Sequence, residues 1–267
     1  MPRTRCAGWL CLGLIAAACG TGCDPAAKQR AEESGSIFAL FSEPKPIDAA
    51  RDMVNPYDPD KRFRGTTLIA NAPFGGTDVY VKVYEDQVKN DPDVGVRGIA
   101  ARALSLHGRP EHALLIVPLL KEKERMPRLE AARALQRIHN PAVVDALIAA
   151  VDSRKEVDAE VRAEAAIALG QYAENKVLQG LIAAVDDDSL TAGRAARESL
   201  RTLTGQELGE DMKAWLAWFD KTKEPFAGRT QYIYPVFNRE FYWIEYLPFV
   251  SPPPNEVAST PVGMTPQ

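Results

Sequence analysis

Val96-Arg-Gly-Ile-Ala-Ala-Arg-Ala-Leu104 returns as Pro127-Arg-Leu-Glu-Ala-Ala-Arg-Ala-Leu135, and again as Val161-Arg-Ala-Glu-Ala-Ala-Ile-Ala-Leu169. The copies lie 31 and 34 residues apart, room for two helices of about three turns with their connections. The second half of the unit recurs too. Val143-Val-Asp-Ala-Leu-Ile-Ala-Ala-Val-Asp152 matches Val177-Leu-Gln-Gly-Leu-Ile-Ala-Ala-Val-Asp186 at an offset of 34. Upstream, Asp58-Pro-Asp-Lys-Arg-Phe-Arg-Gly65 aligns with Asp91-Pro-Asp-Val-Gly-Val-Arg-Gly98 at an offset of 33.

Each unit has legible physics. The first helix follows an acidic or Pro-containing turn and carries an Ala pair (Ala100-Ala101, Ala131-Ala132, Ala165-Ala166), small enough for stacked units to approach closely. Leu104, Leu135 and Leu169 fill the space at its end. The second helix carries Ile116/Leu119/Leu120, Leu147/Ile148/Val151 and Leu181/Ile182/Val185 at helical spacing. Neither helix buries its apolar stripe alone, so the pattern predicts an all-α solenoid of about five stacked helix pairs. An acid precedes an arginine by four residues in Asp60/Arg64, Asp93/Arg97, Glu124/Arg128 and Asp158/Arg162. As an exposed pair each is worth about 0.3–0.5 kcal/mol. The ladder is expected to act through register, since each arginine can also reach the neighbouring unit's acid.

The D-x-x-V-R-x-x-A-A-x-A-L pattern, as Asp93–Leu104 and Asp158–Leu169, resembles HEAT repeats and the phycobilisome-lyase-like repeats. The resemblance covers residues 58–220. Thr204-Gly205-x-x-x-Gly209-x-Asp211-x-x-x-Trp215-x-x-Trp218 looks like the ending of exported bacterial HEAT-repeat proteins, with Gly205 left-handed and Asp211 capping the last helix. The resemblance implies an α-solenoid of unassigned function; a bilin-attachment site is not part of the likeness.

The rest of the chain is organised around this body. All four cysteines lie in the first 23 residues, so no disulfide can staple the repeat body. Arg3 and Arg5, an apolar run of about ten residues and Ala16-Ala17-Ala18 read as an export signal, residues 1–18. The run is shorter than the roughly 20 residues of a spanning helix. Ala16-Ala17-Ala18-Cys19 fits a bacterial lipobox at three positions. Thr21-Gly22-Cys23 fits at the two nearest, with Gly20 poor at the third. Cys19 is the expected lipid site and Cys23 the alternative; plain secretion with cleavage near Ala18 is the third reading. Each places the protein outside the cytoplasm. The lipid readings hold it on a membrane, facing the periplasm or cell exterior. Loss of residues 1–18 removes two arginines and no acid, taking the formal charge from −4 to −6. Residues 19–44 read as a tether and 45–220 as the repeat domain.

Twelve of the 21 aromatic residues fall within residues 215–249. Residues 221–250 lack helical period and read as an extended segment packed back on the repeats as a cap. A ligand or peptide platform of Tyr234, Phe237, Trp243 and Tyr246 is the alternative. Residues 251–267, rich in Pro, read as a flexible tail.

An acidic chain is a poor partner for nucleic acid. His107, His112 and His139 lack metal-ligand spacing and are expected to be exposed or capping, and Asp186-Asp187-Asp188 to face solvent in a loop. Asp91-Pro-Asp93 opens like a calcium loop, but Gly95 and Arg102 stand where ligands are needed. No nucleophile elbow, P-loop or zincin motif occurs. No catalytic residue, metal or cofactor is therefore expected. The function expected is a tethered scaffold for a protein or peptide at the cell envelope. The alternative is a lyase-like or chaperone-like accessory protein that holds a small ligand at the aromatic segment.

Overall fold

The computed structural model describes residues 45–236, 240, 242–246 and 256–265. The described residues divide into two units between Asp48 and Ala49. Of the first, residues 45–48 are described, the lead-in and opening turn of helix α1 (Pro46–Met53). Cys19, Cys23, the signal and the tether lie outside the described residues.

The second unit is the repeat array. Five helix pairs succeed one another: α2 (Pro59–Ala70) with α3 (Asp78–Asn90), α4 (Val94–His107) with α5 (Ala113–Ile116), and α6 (Arg125–Leu135) with α7 (Val144–Val151). The last two are α8 (Ala159–Leu169) with α9 (Asn175–Ala184), and α10 (Leu190–Thr204) with α11 (Met212–Lys221). First helices stack on first helices, α2 on α4 and so on to α10, while α7, α9 and α11 stack on the second-helix side. Among the described residues there is no strand, only one isolated bridge. The protein is an all-α solenoid.

Local chemistry explains where the first helices start. Asp58 accepts from the Lys61 amide, Asp93 from Val96, and Asp158 from both Glu160 and Val161, satisfying donors that a helix start leaves open. Glu124 occupies the same position but makes no side-chain cap bond. Asp211 caps α11 through Lys213, and Gly205 ends α10 at φ 70°. The Ala pairs are fully buried between stacked first helices. Gly65 serves the same close approach at the front of the array, where a Cβ would fall 2.2 Å from the Met53 amide nitrogen. The apolar sets of the second helices are buried as expected, except Ile148, which is half-buried beside Gly180. The second helix of the second pair is shorter than its periodicity suggests. One α-turn passes into a 3₁₀ segment, Val117–Lys121, because Pro118 has no amide to continue the ladder.

The capping pattern corrects the register of the first unit. Asp58, not Asp60, is equivalent to Asp93, so Arg62, not Arg64, is equivalent to Arg97. Asp60 is exposed in the first turn of α2, and Arg64 pairs with Asp52 at 2.5 Å. The Asp-Pro-Asp identity that aligned the two stretches is a coincidence of two different turns.

The aligned arginines do not pair with the acid one turn ahead. Each points Nη1 back at the carbonyls of the preceding turn: Arg62 at Asn55, Arg97 at Asp91 and Pro92, Arg128 at Glu122 and Lys123, Arg162 at Glu156 and Val157. The other edge of each guanidinium meets an acid of the next unit. Arg62 reaches Asp91 at 2.7 and 2.8 Å, and Arg97 reaches Glu122 at 2.5 Å. Arg128 reaches Glu156 at 2.7 and 3.1 Å, and Arg162 reaches Asp187 at 2.8 Å twice. Each acid stands two residues before the cap of the following first helix. Asp91, Glu156 and Asp187 also accept the amide of that cap residue, Asp93, Asp158 and Ser189.

Asp187 is therefore a correction as well. Its side chain is only 2% exposed, held by Arg162 and not by solvent. Burial pushes its carboxyl up, but the bonds from Arg162 and the Ser189 amide outweigh burial and hold it below the ordinary 3.8. A depressed carboxyl contributes stability above about pH 4 that is lost on acidification. Arg162→Ala, which leaves Asp187 buried without its partner, is expected to cost about 3–5 kcal/mol in urea unfolding at pH 7. Asp60→Ala should stay within about 0.5 kcal/mol. Asp187→Asn should flatten the loss of stability below pH 4.

Candidate functional site

α6 ends at Leu135, and the chain continues through Gln136 and Arg137 to Ile138 and His139 before the next 3₁₀ turn at Pro141–Val143. Two separate C-terminal stretches converge here. In one, Thr230 donates from its amide to the Thr202 carbonyl, Arg229 donates to the Gln171 carbonyl, and Tyr232 is buried against Gly170. Tyr234 then lies over Arg137, with the guanidinium carbon 4.7 Å from the ring centroid. In the other, residues 256–264 run alongside. The Val262 amide donates to the Arg137 carbonyl at 2.9 Å and the His139 amide donates to the Val262 carbonyl at 2.8 Å, a parallel bridge beside Ile138. The Tyr234 amide donates to the Ser259 carbonyl at 3.1 Å, and Arg137 pairs with Glu256. The expectation of a flexible tail over 251–267 does not hold for residues 256–265. Long-range backbone pairing orders them, and local composition carries no sign of that pairing. Residues 251–255 and 266–267 lie outside the described residues.

A charged network leads along the first helices to this point. Buried Glu130 is held by Arg102, Arg133 bonds Glu164 at 2.9 Å and Glu160 at 2.8 Å, and Gln136 donates to Glu164 at 2.6 Å. Burial pulls the Arg133 guanidinium down, but its bond to Glu164 and the surrounding carboxylates raise it on balance. A polar groove of about 480 Å³ opens over Arg102, Glu130, Arg133, Gln136 and Glu164. Beside it, a cavity of about 320 Å³ lies between the helices and residues 256–262, lined by Ser105, Leu106, Arg137, Tyr234 and Val257.

The described platform candidates do not line one cavity. Tyr234 is committed to Arg137, and Phe237 lies outside the described residues. Trp243 and Tyr246 sit in a short 3₁₀ turn, 79% and 76% exposed, and line neither cavity. Cap chemistry is visible elsewhere: Trp215 is 1% exposed, donates to the Gly209 carbonyl and meets Trp218 edge-on.

None of the three histidines is exposed, and His112 and His107 make the helix-end contacts of capping residues. His112 is buried, accepting the Arg109 amide at Nδ1 and meeting Glu85 at Nε2. His107 is half-buried against the Ala70 carbonyl. His139 stacks on Tyr172 with ring centroids 4.8 Å apart. Burial holds the His139 imidazole below its ordinary 6.5; Gln171 favours the charged ring, and Arg229 opposes it. Yet His139 Nδ1, Gln171 Oε1 and the Tyr232 hydroxyl, all buried, make no hydrogen bond among the described residues. Desolvation thus dominates. Among the described residues no group of three or more His, Cys, Asp or Glu is placed to hold a metal ion.

A model of HEAT repeats matches residues 81–157 and 128–201. No curated protein matches the chain at a significant level.

A neutral buried histidine binds fewer protons than the unfolded chain below pH 6.5, so its contribution to stability is lost as pH falls from 6.5 toward the depressed folded value. The unfolding midpoint should drop between pH 7 and pH 5.5. His139→Phe, which keeps a ring against Tyr172, should remove most of that slope in urea titrations at the two pH values.

Proposed function

We propose that this chain, which carries HEAT repeats, is a tethered scaffold that holds a protein or peptide partner at the cell envelope. The carrying observation is the stacked array, in which five helix pairs present repeated surfaces from a rigid core. A repeat scaffold with a role in protein interaction is the general reading of such repeats.

The second-helix side supplies the surface for it. Val79, Leu114, Asp145 and Lys176 each occupy the second position of a second helix. Val79 is 70% and Leu114 52% exposed, while Asp145 and Lys176 pair at 2.8 Å in the open. Such a column mixes apolar anchors with charge, as partner surfaces do. Attachment rests on the lipobox at Cys19, whose acyl chains would hold the protein on a membrane surface. Among the described residues, no helix is long and apolar enough to cross a membrane.

Metabolic labelling with a palmitate analogue should mark the full-length chain and the Cys23→Ala variant, and not Cys19→Ala, which should move to the soluble fraction. Label on Cys19→Ala and its absence from Cys23→Ala would reassign the lipid; no label on any form would leave plain secretion. Crosslinked complexes from envelope extracts should be lost with Val79→Asp/Leu114→Asp. Complexes that survive that double variant count against the second-helix surface.

A further inference from the structure

Residues 256–264 pair with the backbone of Arg137–His139, a stretch with the properties of a peptide-docking edge. The backbone of Arg137–His139 has left the helix and offers an unpaired carbonyl and amide to any extended chain laid beside it. The occupant uses both through Val262, and adds one carboxylate, Glu256, on Arg137. Pro261 is buried, and Gly263 follows at φ 87°, where a Cβ would lie 2.5 Å from Pro110 and 3.0 Å from the His139 carbonyl oxygen. The edge therefore reads Pro-Val-Gly with an acidic residue five positions ahead.

The fit is loose in a way a core element would not be. Val257 is 85% and Val262 46% exposed, and Pro261 is the one fully buried residue among 256–265. The cavity of about 320 Å³ remains open beneath the segment, walled by Leu106 and Tyr234. Few buried apolar contacts and a handful of solvent-edge hydrogen bonds place this segment at the low-stability end of the molecule.

We infer that the Arg137–His139 edge is a docking site for an extended peptide of the form acidic-x4-Pro-Val-Gly, and that residues 256–264 occupy it in cis until such a partner displaces them. An apolar side chain reaching toward Leu106 would favour the partner over the native segment by filling the cavity. The site lies on the first-helix side and needs neither the lipid nor the second-helix column. Failure of the envelope crosslinking and failure of this site are therefore separate outcomes.

The test uses full-length chains and a labelled synthetic peptide of residues 256–265. Glu256→Ala/Val262→Pro removes the ion pair and the amide that donates to Arg137, releasing the native segment. Fluorescence anisotropy should show this variant binding the peptide at least about tenfold tighter than wild type, because a tethered competitor at millimolar effective concentration has been removed. Adding Arg137→Glu should abolish binding. Equal affinities, binding indifferent to Arg137→Glu, or a released variant that dimerises and ignores the peptide would each overturn the inference. Should the released variant lose its helical circular dichroism, wild type decides: excess peptide must accelerate deuterium exchange at the Val262 amide, and unchanged exchange overturns the inference.

Discussion

An arginine, buried at Arg162 and half-buried at Arg62, Arg97 and Arg128, holds each unit to the next, and the array depends on it. A helix pair of this size cannot bury its own apolar face, so the native state exists only if neighbours meet in one register. Ala pairs permit close approach but do not choose a register, because small apolar surfaces slide. The arginines choose it. Arg128 has one edge on the carbonyls of Glu122 and Lys123 and the other on Glu156, the residue that also receives the Asp158 amide. One side chain thus fixes the turn before its own helix and the turn before the next. Replacing such a pair wholesale by apolar groups can be nearly neutral, whereas removing one member is costly, so the pair contributes more to uniqueness than to net stability.

The geometry also explains how a charged ladder survives inside a helical stack. Arg162 and Asp187 are 7% and 2% exposed at their side chains, a setting hostile to either alone. Two parallel bonds between guanidinium and carboxylate, two carbonyls on the remaining nitrogen and one amide on the carboxylate satisfy most of what burial removes from water. The last pair lacks this device forward: its cap is Ser189, and Gly193 stands four residues on, where the earlier helices have arginine. There the ladder of arginines ends, and Trp215 of α11 is buried against the core.

Much of the fold was legible because it is periodic. The Ala pairs, the apolar sets of the second helices, the caps at Asp93, Asp158 and Asp211 and the left-handed Gly205 all follow from local rules that need no partner. The misreadings share one cause, which is that sequence spacing does not show what lies across a gap. The reach of each arginine into the neighbouring unit follows from the repeat, but the acid four residues before it is not a partner: Asp93 and Asp158 cap their own helices, and the arginines pair 25 to 29 residues forward with acids outside the ladder. In the first unit a repeated Asp-Pro-Asp displaced the register by two, hiding Arg62 behind Arg64. Asp187 sat in a run of three acids that looks solvated. The docking edge at Arg137–His139 had no local sign either, since Glu256 and Val262 are more than a hundred residues away in a stretch whose Pro and Ser content suggests no structure. The platform residues rest on composition alone; of those described, Tyr234 lines the smaller cavity and Trp243 and Tyr246 line neither, because aromatic density does not specify a common face.

The most direct test of the arginine ladder is a double-mutant cycle on Arg128 and Glu156. The free energy of unfolding would be measured for wild type, Arg128→Met, Glu156→Gln and the double variant. A pair that ties one unit to the next should show a coupling of at least about 1.5 kcal/mol, with the double variant less damaged than the sum of the singles. Additivity to within about 0.5 kcal/mol would contradict it, leaving the stack held in register by apolar contact alone.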